Sequence, residues 1–379
     1  MRKKIAVLCS MLILLLSCQA VSAVELTGSL EAIGIVDNAE FNVNMGFKLN
    51  MNLVEGDEQQ VSLQMELVPD TKGSLGDFFP VKPGAGYPKV NALLTTRGQF
   101  LNAGPVLTTR IGQMSVKYSD YVGVFSNLGA IEISGGRIGD LRISGLYAFD
   151  GDVKPLALRL AGDVDRIQVN GTYVRVDEDQ LAFHFGASTQ VNERVTVAAQ
   201  FANDKVNGNA YNVNGRFKVV NGVYLKAGLW NFGDFDSPYI NAELKKLYGG
   251  KTDGKELGLE VNLAGVTVNG AYMTFDQGGK NRQLMDLQAQ RDLMGITAGI
   301  KAQYDIKAKS FITNELTLSK VFSIPGYFEN VSVTGKYDFE EAELSLVQVE
   351  YTSPNRIKWT FTSTPENPKR LTAAYKIEF

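Results

Sequence analysis

His184 is the single histidine of this 379-residue chain, and Cys9 and Cys18 are its two cysteines, so imidazole and thiolate chemistry can be enumerated almost completely. A His/Cys zinc cluster, a Cys-His dyad and a disulfide framework all need more of these residues than the chain has. Serine hydrolysis has one candidate pair, because Ser188 lies on the same strand parity as His184 in Phe183-His184-Phe185-Gly186-Ala187-Ser188. Side chains at i and i+4 of a strand lie about 13 Å apart, too far for the hydrogen bond that activates a serine hydroxyl. The segment also lacks a nucleophile elbow. Glu340, Glu341 and Glu343 could approach a divalent cation, but no glycine-bracketed ligand loop surrounds them and they read as a solvated turn. Gly135-Gly136-Arg137-Ile138-Gly139 has no phosphate-loop spacing and reads as turn chemistry between strands. We therefore expect no catalytic residue, no enzyme, no metal and no other cofactor.

The remaining chemistry is electrostatic. Lys and Arg number 38 against 41 Asp and Glu, a formal net charge of −3, and no basic block occurs beyond the first four residues. That balance argues against a nucleic-acid partner. Many of the charges alternate with apolar residues. The basic members are Lys48, Arg110, Arg142, Arg159, Arg216, Lys218, Lys226, Lys301, Lys336, Lys358 and Lys376; the acidic members are Glu66, Glu132, Glu256, Glu260, Asp305, Glu315, Asp338 and Glu350.

Alternation of this kind needs strands, in which successive side chains point to opposite faces. Phe41 to Leu53 carries apolar residues at every odd position and Asn, Gly or Lys at every even one. Tyr211, Val213, Gly215 and Phe217 oppose Asn212, Asn214, Arg216 and Lys218, and Leu257, Leu259, Val261 and Leu263 oppose Glu256, Gly258, Glu260 and Asn262. Such segments recur roughly every 12 to 20 residues, with short turns such as Asp163-Val164-Asp165, Val220-Asn221-Gly222 and Ser353-Pro354-Asn355. The chain is all-β.

A soluble sandwich and a transmembrane barrel both produce this pattern, one burying the apolar face and the other turning it to lipid. The strands run through one stretch without a linker, in greater number than a sandwich domain of about 100 residues uses. Tyr147, Phe149, Phe275, Tyr304, Tyr337, Phe339 and Tyr351 fall near strand ends, where an interfacial aromatic girdle would sit. The chain also closes on Leu371-Thr372-Ala373-Ala374-Tyr375-Lys376-Ile377-Glu378-Phe379. Here it resembles Gram-negative outer-membrane β-barrel proteins, whose last strand alternates and ends in Phe. The resemblance implies that Tyr375, Ile377 and Phe379 form the signal read by the barrel assembly machinery.

The N-terminus fits that destination. Arg2-Lys3-Lys4, the apolar run Ile5 to Leu16 and Val21-Ser22-Ala23 read as a secretory signal peptide, residues 1-23, followed by a single barrel domain, residues 24-379. Leu15-Leu16-Ser17-Cys18 is a competing lipoprotein box in which Cys18 would be acylated. Cleavage after Ala23 removes three basic residues and both cysteines, leaving 35 basic against 41 acidic residues.

The candidate strands number about 21, an odd count that bacterial single-chain barrels avoid. Gly129 to Gly135 is also short of the roughly 9 to 11 residues a tilted crossing requires. We expect an antiparallel barrel of about 18 strands, within about 16 to 20, enclosing water. Pro69 to Val90, Lys117 to Leu128, Gly233 to Lys255 and Asp276 to Leu293 are expected as long loops available to fold into the lumen. Arg110-Ile111-Gly112-Gln113 followed by Tyr118-Ser119-Asp120-Tyr121-Val122 is similar to the middle section of substrate-diffusion porins. On that likeness Tyr118, Asp120 and Tyr121 are the constriction-loop candidates, with a plain extracellular loop as the alternative.

A Lys or Arg on the lipid face at mid-membrane costs about 2 to 4 kcal/mol, so the charged parity is expected to line a water-filled pore. Bases precede acids along the chain, which suggests opposed charged walls, although mutual pairing is equally compatible. The expected function is an outer-membrane porin passing small hydrophilic solutes or ions with a weak anion preference. Its partners would be outer-membrane lipid and, by resemblance to porins, two further copies in a homotrimer. A structural or adhesion barrel without channel activity is the alternative, and a barrel hydrolase the third reading.

Overall fold

The computed structural model describes residues 25–37, 40–55, 59–68, 89–99, 105–150, 153–176, 180–324, 328–354, 356–366 and 369–378. The expected signal peptide, Cys18 and Phe379 lie outside them, as does most of the expected loop from Pro69 to Val90.

Alternation becomes strand throughout. The sheet opens with β1 (Glu25–Asp37), β2 (Glu40–Glu55), β3 (Gln59–Val68) and β4 (Lys89–Gln99). Next come β5 (Val106–Lys117), β6 (Val124–Ile138), β7 (Leu141–Ala148), β8 (Leu156–Val164) and β9 (Ile167–Arg175). Then follow β10 (Leu181–Asn192), β11 (Val195–Asp204), β12 (Gly208–Val220) and β13 (Val223–Asn231). A short helix, α1 (Ala242–Tyr248), precedes β14 (Lys251–Leu263), β15 (Val266–Gln277), β16 (Lys280–Leu293), β17 (Ile296–Asp305) and β18 (Ser310–Ile324). The last are β19 (Phe328–Asp338), β20 (Glu343–Thr352), β21 (Ile357–Ser363) and β22 (Arg370–Glu378).

Each strand pairs antiparallel with its neighbours in sequence, and β22 returns to β1 in register from Ser29↔Glu378 to Asp37↔Arg370. Closure leaves no edge strand open to aggregation among the described residues. Over those residues the barrel has 22 strands, which corrects the expectation of about 18. Closure did demand an even number, but the adjustment runs upward. Gly129 to Gly135 is the middle of the 15-residue β6, and Asp276 to Leu293, expected as a loop, is a hairpin turning at Gly278-Gly279. The stretch Gly135 to Ile138 likewise belongs to β6, with an irregularity between Ser134 and Gly136, and the turn proper is Gly139-Asp140.

Connections sort by length between the two rims. One rim carries two-residue turns, among them Asp165-Arg166, Glu193-Arg194, Asn221-Gly222, Ala264-Gly265 and Met294-Gly295, and also both barrel termini. In Ala264-Gly265 and Met294-Gly295 both residues have positive φ, the turn geometry that best matches the right-handed twist of the flanking strands. The opposite rim carries the long connections 118–123 and 232–250.

The sheet's two faces differ. Apolar side chains on one parity stay exposed around the ring, including Ile111, Ile133, Leu158, Phe185, Val213, Leu257, Leu287, Ile300 and Leu318. They are not pressed against one another as a sandwich would require. The main buried cluster lies on the other parity of β6 to β16, where Leu146, Val174, Trp230 and Phe275 pack with Tyr118, Tyr121 and Phe232 from the long connections. Phe275, expected in an outer girdle, therefore sits on the polar face. It is out of phase with Tyr272, three residues earlier on the same strand, which is exposed.

Candidate functional site

Strand registers place all thirteen expected pore-lining charges on one face. Lys48 opposes Glu66, Arg110 opposes Glu132, Ser144 links Arg142's strand face to Arg159, and Arg216 opposes Lys226. Further round, Lys226 opposes Gly258 between Glu256 and Glu260, Lys301 opposes Glu315, Thr317 of the same face opposes Lys336, and Lys358 opposes Thr352 two residues from Glu350. Lys218 opposes Tyr224, which opposes Glu260.

The charges on this face interleave. Lys48 pairs with Glu66 at 2.9 Å, Arg110 with Glu132 at 2.8 Å and Lys358 with Glu350 at 3.0 Å. Glu260 bridges Arg216 at 2.8 Å and Lys226 at 2.7 Å, while the Arg216 guanidinium lies 3.6 Å over the Tyr224 ring. Asp305 pairs with Arg282 at 2.5 Å. Pairing thus replaces the opposed walls suggested by chain order: acids and bases on consecutive or next-but-one strands meet across the sheet. Arg142, Arg159, Lys218, Lys301 and Lys336 make no ion pair among the described residues.

Tyr118, Asp120 and Tyr121 come together in the β5–β6 connection, which turns onto the polar face. Only 118–123 is loop, because β6 already begins at Val124; the expected loop Lys117 to Leu128 is thereby shortened. The Tyr118 hydroxyl donates to Glu132 Oε1 at 3.1 Å, and the Tyr118 carbonyl accepts from Asn170 Nδ2 at 3.3 Å and Thr172 Oγ1 at 3.4 Å. Asp120 pairs with Lys117 at 2.6 Å. The Tyr121 ring stacks on His184 at 4.9 Å and on Phe232 at 5.5 Å. Burial, reinforced by the adjacent Glu132 charge, pushes the Tyr118 phenol well above its usual pKa. Burial also raises that of Tyr121. Both rings therefore hold their protons.

A second segment, 232–250, braces this loop. Asn241 donates from its backbone to the Asp120 carbonyl at 2.7 Å and from Nδ2 to Asp120 Oδ1 at 2.6 Å. Val124 N–H donates to the Tyr239 carbonyl at 2.9 Å. Asn241 also caps α1 by accepting from Glu243 N–H at 2.9 Å. Phe232 stacks on Tyr248 at 5.1 Å, and Trp230 meets Tyr248 at 5.3 Å and Phe275 at 6.5 Å. Gly254 is required here, since a Cβ would stand 2.0 Å from the Trp230 indole.

The long loop expected at Gly233 to Lys255 supplies this brace, with α1 inside it and its end taken by β14 from Lys251; its latch onto 118–123 was not expected. Its signal was the set of apolar residues on the charged parity, Leu146, Val174 and Trp230, which mark where something covers that face.

His184 Nε2 lies 3.3 Å from Gln200 Oε1, and its ring is covered by Tyr121, so the imidazole is engaged away from Ser188. Among the described residues no group of three His, Cys, Asp or Glu could hold a metal ion. Asp338 Oδ1 accepts from Glu340 N–H at 2.8 Å and organises the acidic turn. Tyr375 and Ile377 stand exposed on the apolar face of β22.

No family model and no curated protein matches this chain. Among solved structures it is similar to OccK8 (OprE) of Pseudomonas aeruginosa, at 12% identity and TM-score 0.45, covering 95% of this chain and 99% of that one. OccK10 (OpdN) of the same organism gives 13% identity and TM-score 0.47 over 93% and 99%. A mutant of the Rh. blastica porin gives 12% and 0.39 over 72% and 100%. The chain is a closed antiparallel β-barrel with porins among its structural neighbours.

Proposed function

We propose that this chain is an outer-membrane channel through which small hydrophilic solutes and ions diffuse down their gradients. The carrying observation is the partition of one closed sheet into an apolar face exposed on strand after strand and a charged face on which the two long connections fold. Lipid is the solvent that suits exposed Leu, Ile and Phe over this area. Water suits the ion pairs, since each charged group in hydrocarbon carries a heavy desolvation cost. On this reading the charged face is the lumen, the short-turn rim is periplasmic and the long-connection rim is extracellular. The connection 118–123 with its brace forms a constriction on one side of the lumen. Purified protein in a planar bilayer is expected to give discrete conductance steps. A non-conducting, stably inserted barrel would favour the structural reading instead.

A weak anion preference belongs to the same proposal. It rests on the eleven bases against eight acids assigned to the charged parity, since after ion pairing both Arg142, Arg159, Lys218, Lys301 and Lys336 and the acids Glu256, Glu315 and Asp163 remain without an ion-pair partner among the described residues. A reversal potential under a KCl gradient reads the preference directly, and cation selectivity would reject it. Export by cleavage after Ala23, recognition of the C-terminal strand by the barrel assembly machinery and trimer formation complete the proposal. N-terminal sequencing of the outer-membrane form, truncation of Phe379 and cross-linking test them in turn.

A further inference from the structure

The bracing of the constriction leaves a polar cavity of about 500 Å³ beside it, on the wall formed by β8 to β11. Two charges there have no counter-ion among the described residues. Arg159 makes no ion pair and uses Nε to donate to Asn170 Oδ1 at 3.3 Å. The Asp163 carboxylate has neither a hydrogen-bond nor an ion-pair partner among the described residues. Both sit on the charged parity of β8, about 13 Å apart at the backbone. Asn170 opposes Ala161, so the bond from Arg159 to Asn170 leans the guanidinium along the strand toward Asp163. One strand repeat, about 7 Å, then separates the two charges.

Between them the wall is neutral and hydrogen-bonding. Gln168 opposes Asp163 and Ser188, and Gln200 opposes Gly186, whose missing side chain opens the floor of the cavity. Gln200 accepts from His184 through Oε1, leaving its amide N–H groups to donate to a solute.

We propose that this cavity is a binding subsite for small zwitterions of amino-acid to dipeptide size, whose carboxylate meets Arg159 and whose ammonium meets Asp163. A free amino acid reaches both, since two charge-assisted hydrogen bonds of about 2.8 Å add to the separation of its own charged groups. A dipeptide is longer by one Cα step of about 3.8 Å, spans the pair in a bent conformation and presents an amide to Ser188 and Gln200. The inference rests on the channel reading and names a solute class for it.

The test is current block in a planar bilayer by glycylglycine, N-acetylglycylglycine and glycylglycinamide. Glycylglycine is expected to bind about tenfold more tightly than either capped form, each of which lacks one charge-assisted hydrogen bond. In Arg159→Gln the advantage over glycylglycinamide disappears, and in Asp163→Asn the advantage over N-acetylglycylglycine disappears. Equal block by all three solutes overturns the subsite while leaving the channel intact. Block by the acetylated form as strong as by glycylglycine makes Arg159 a simple anion attractor and also overturns it. Absence of any conductance removes the channel and the subsite together.

Discussion

At the scale of single residues, Glu132 ties the proposed constriction loop to the strand wall. It accepts from Tyr118 and from Arg110 while being nearly buried, so both donors depend on its charge. Glu132→Gln removes the charge and weakens both bonds. The expected loss is about 1 to 3 kcal/mol, read as a lower urea midpoint and as greater open-channel current noise. Gly254 makes a different demand, being the only residue type that fits beneath the Trp230 indole. Gly254→Ala is expected to displace that ring and cost about 1 to 3 kcal/mol through overpacking. The chain has two tryptophans, and Trp359 lies on the apolar face, so a red shift in the Trp230 contribution to fluorescence in a Trp359→Phe background reports the movement.

At the scale of elements, the proposed constriction is a loop held by another loop. Asn241 joins them, capping α1 with one side-chain atom and holding Asp120 with another. Asn241→Ala should cost about 1 kcal/mol of helix capping and release the loop, giving flickering single-channel currents and faster protease cleavage within 118–123. Unchanged noise would show that the aromatic stack alone fixes the constriction. On the other face of the wall, Leu259 is exposed on β14 beside Glu260 of the charged face. Leu259→Arg is expected to cost about 2 to 4 kcal/mol if the site is near mid-membrane, seen as loss of the compact, heat-modifiable band on unboiled electrophoresis.

At the scale of the whole molecule, the strand number sets how much space the ring encloses, and 22 strands enclose more than the unaided sheet can fill with side chains. The chain's own connections occupy the side lined by β6 to β16, and the aromatic cluster there reaches from Phe125 to Phe275. Deleting residues 242–248 should therefore raise conductance without preventing closure, because no strand pairing among the described residues involves them. The rims give a topological prediction as well. An epitope placed at Gly278-Gly279 should be accessible on intact cells, and one at Ala264-Gly265 should not; the reverse result would invert the assigned orientation.

The alternation of Phe41 to Leu53, and of Tyr211 to Lys218, decided from local sequence alone that the chain forms strands with one oily and one wet face, because side-chain direction in a strand has period two. It also decided which charges share a face, since parity survives any choice of strand number. Residues such as Phe275 and Trp230 broke that parity, and their reason lay in chain segments distant in sequence. Local pattern could not count 22 strands, because a bulged strand such as β6 reads as interrupted and a hairpin such as β15–β16 reads as a polar loop. Pairing Glu260 with Arg216, stacking Tyr121 on His184 and latching Asn241 to Asp120 were decided by the tertiary structure alone. Such contacts join segments two or more strands apart, which meet only once the sheet curls and the long connections fold onto its charged face.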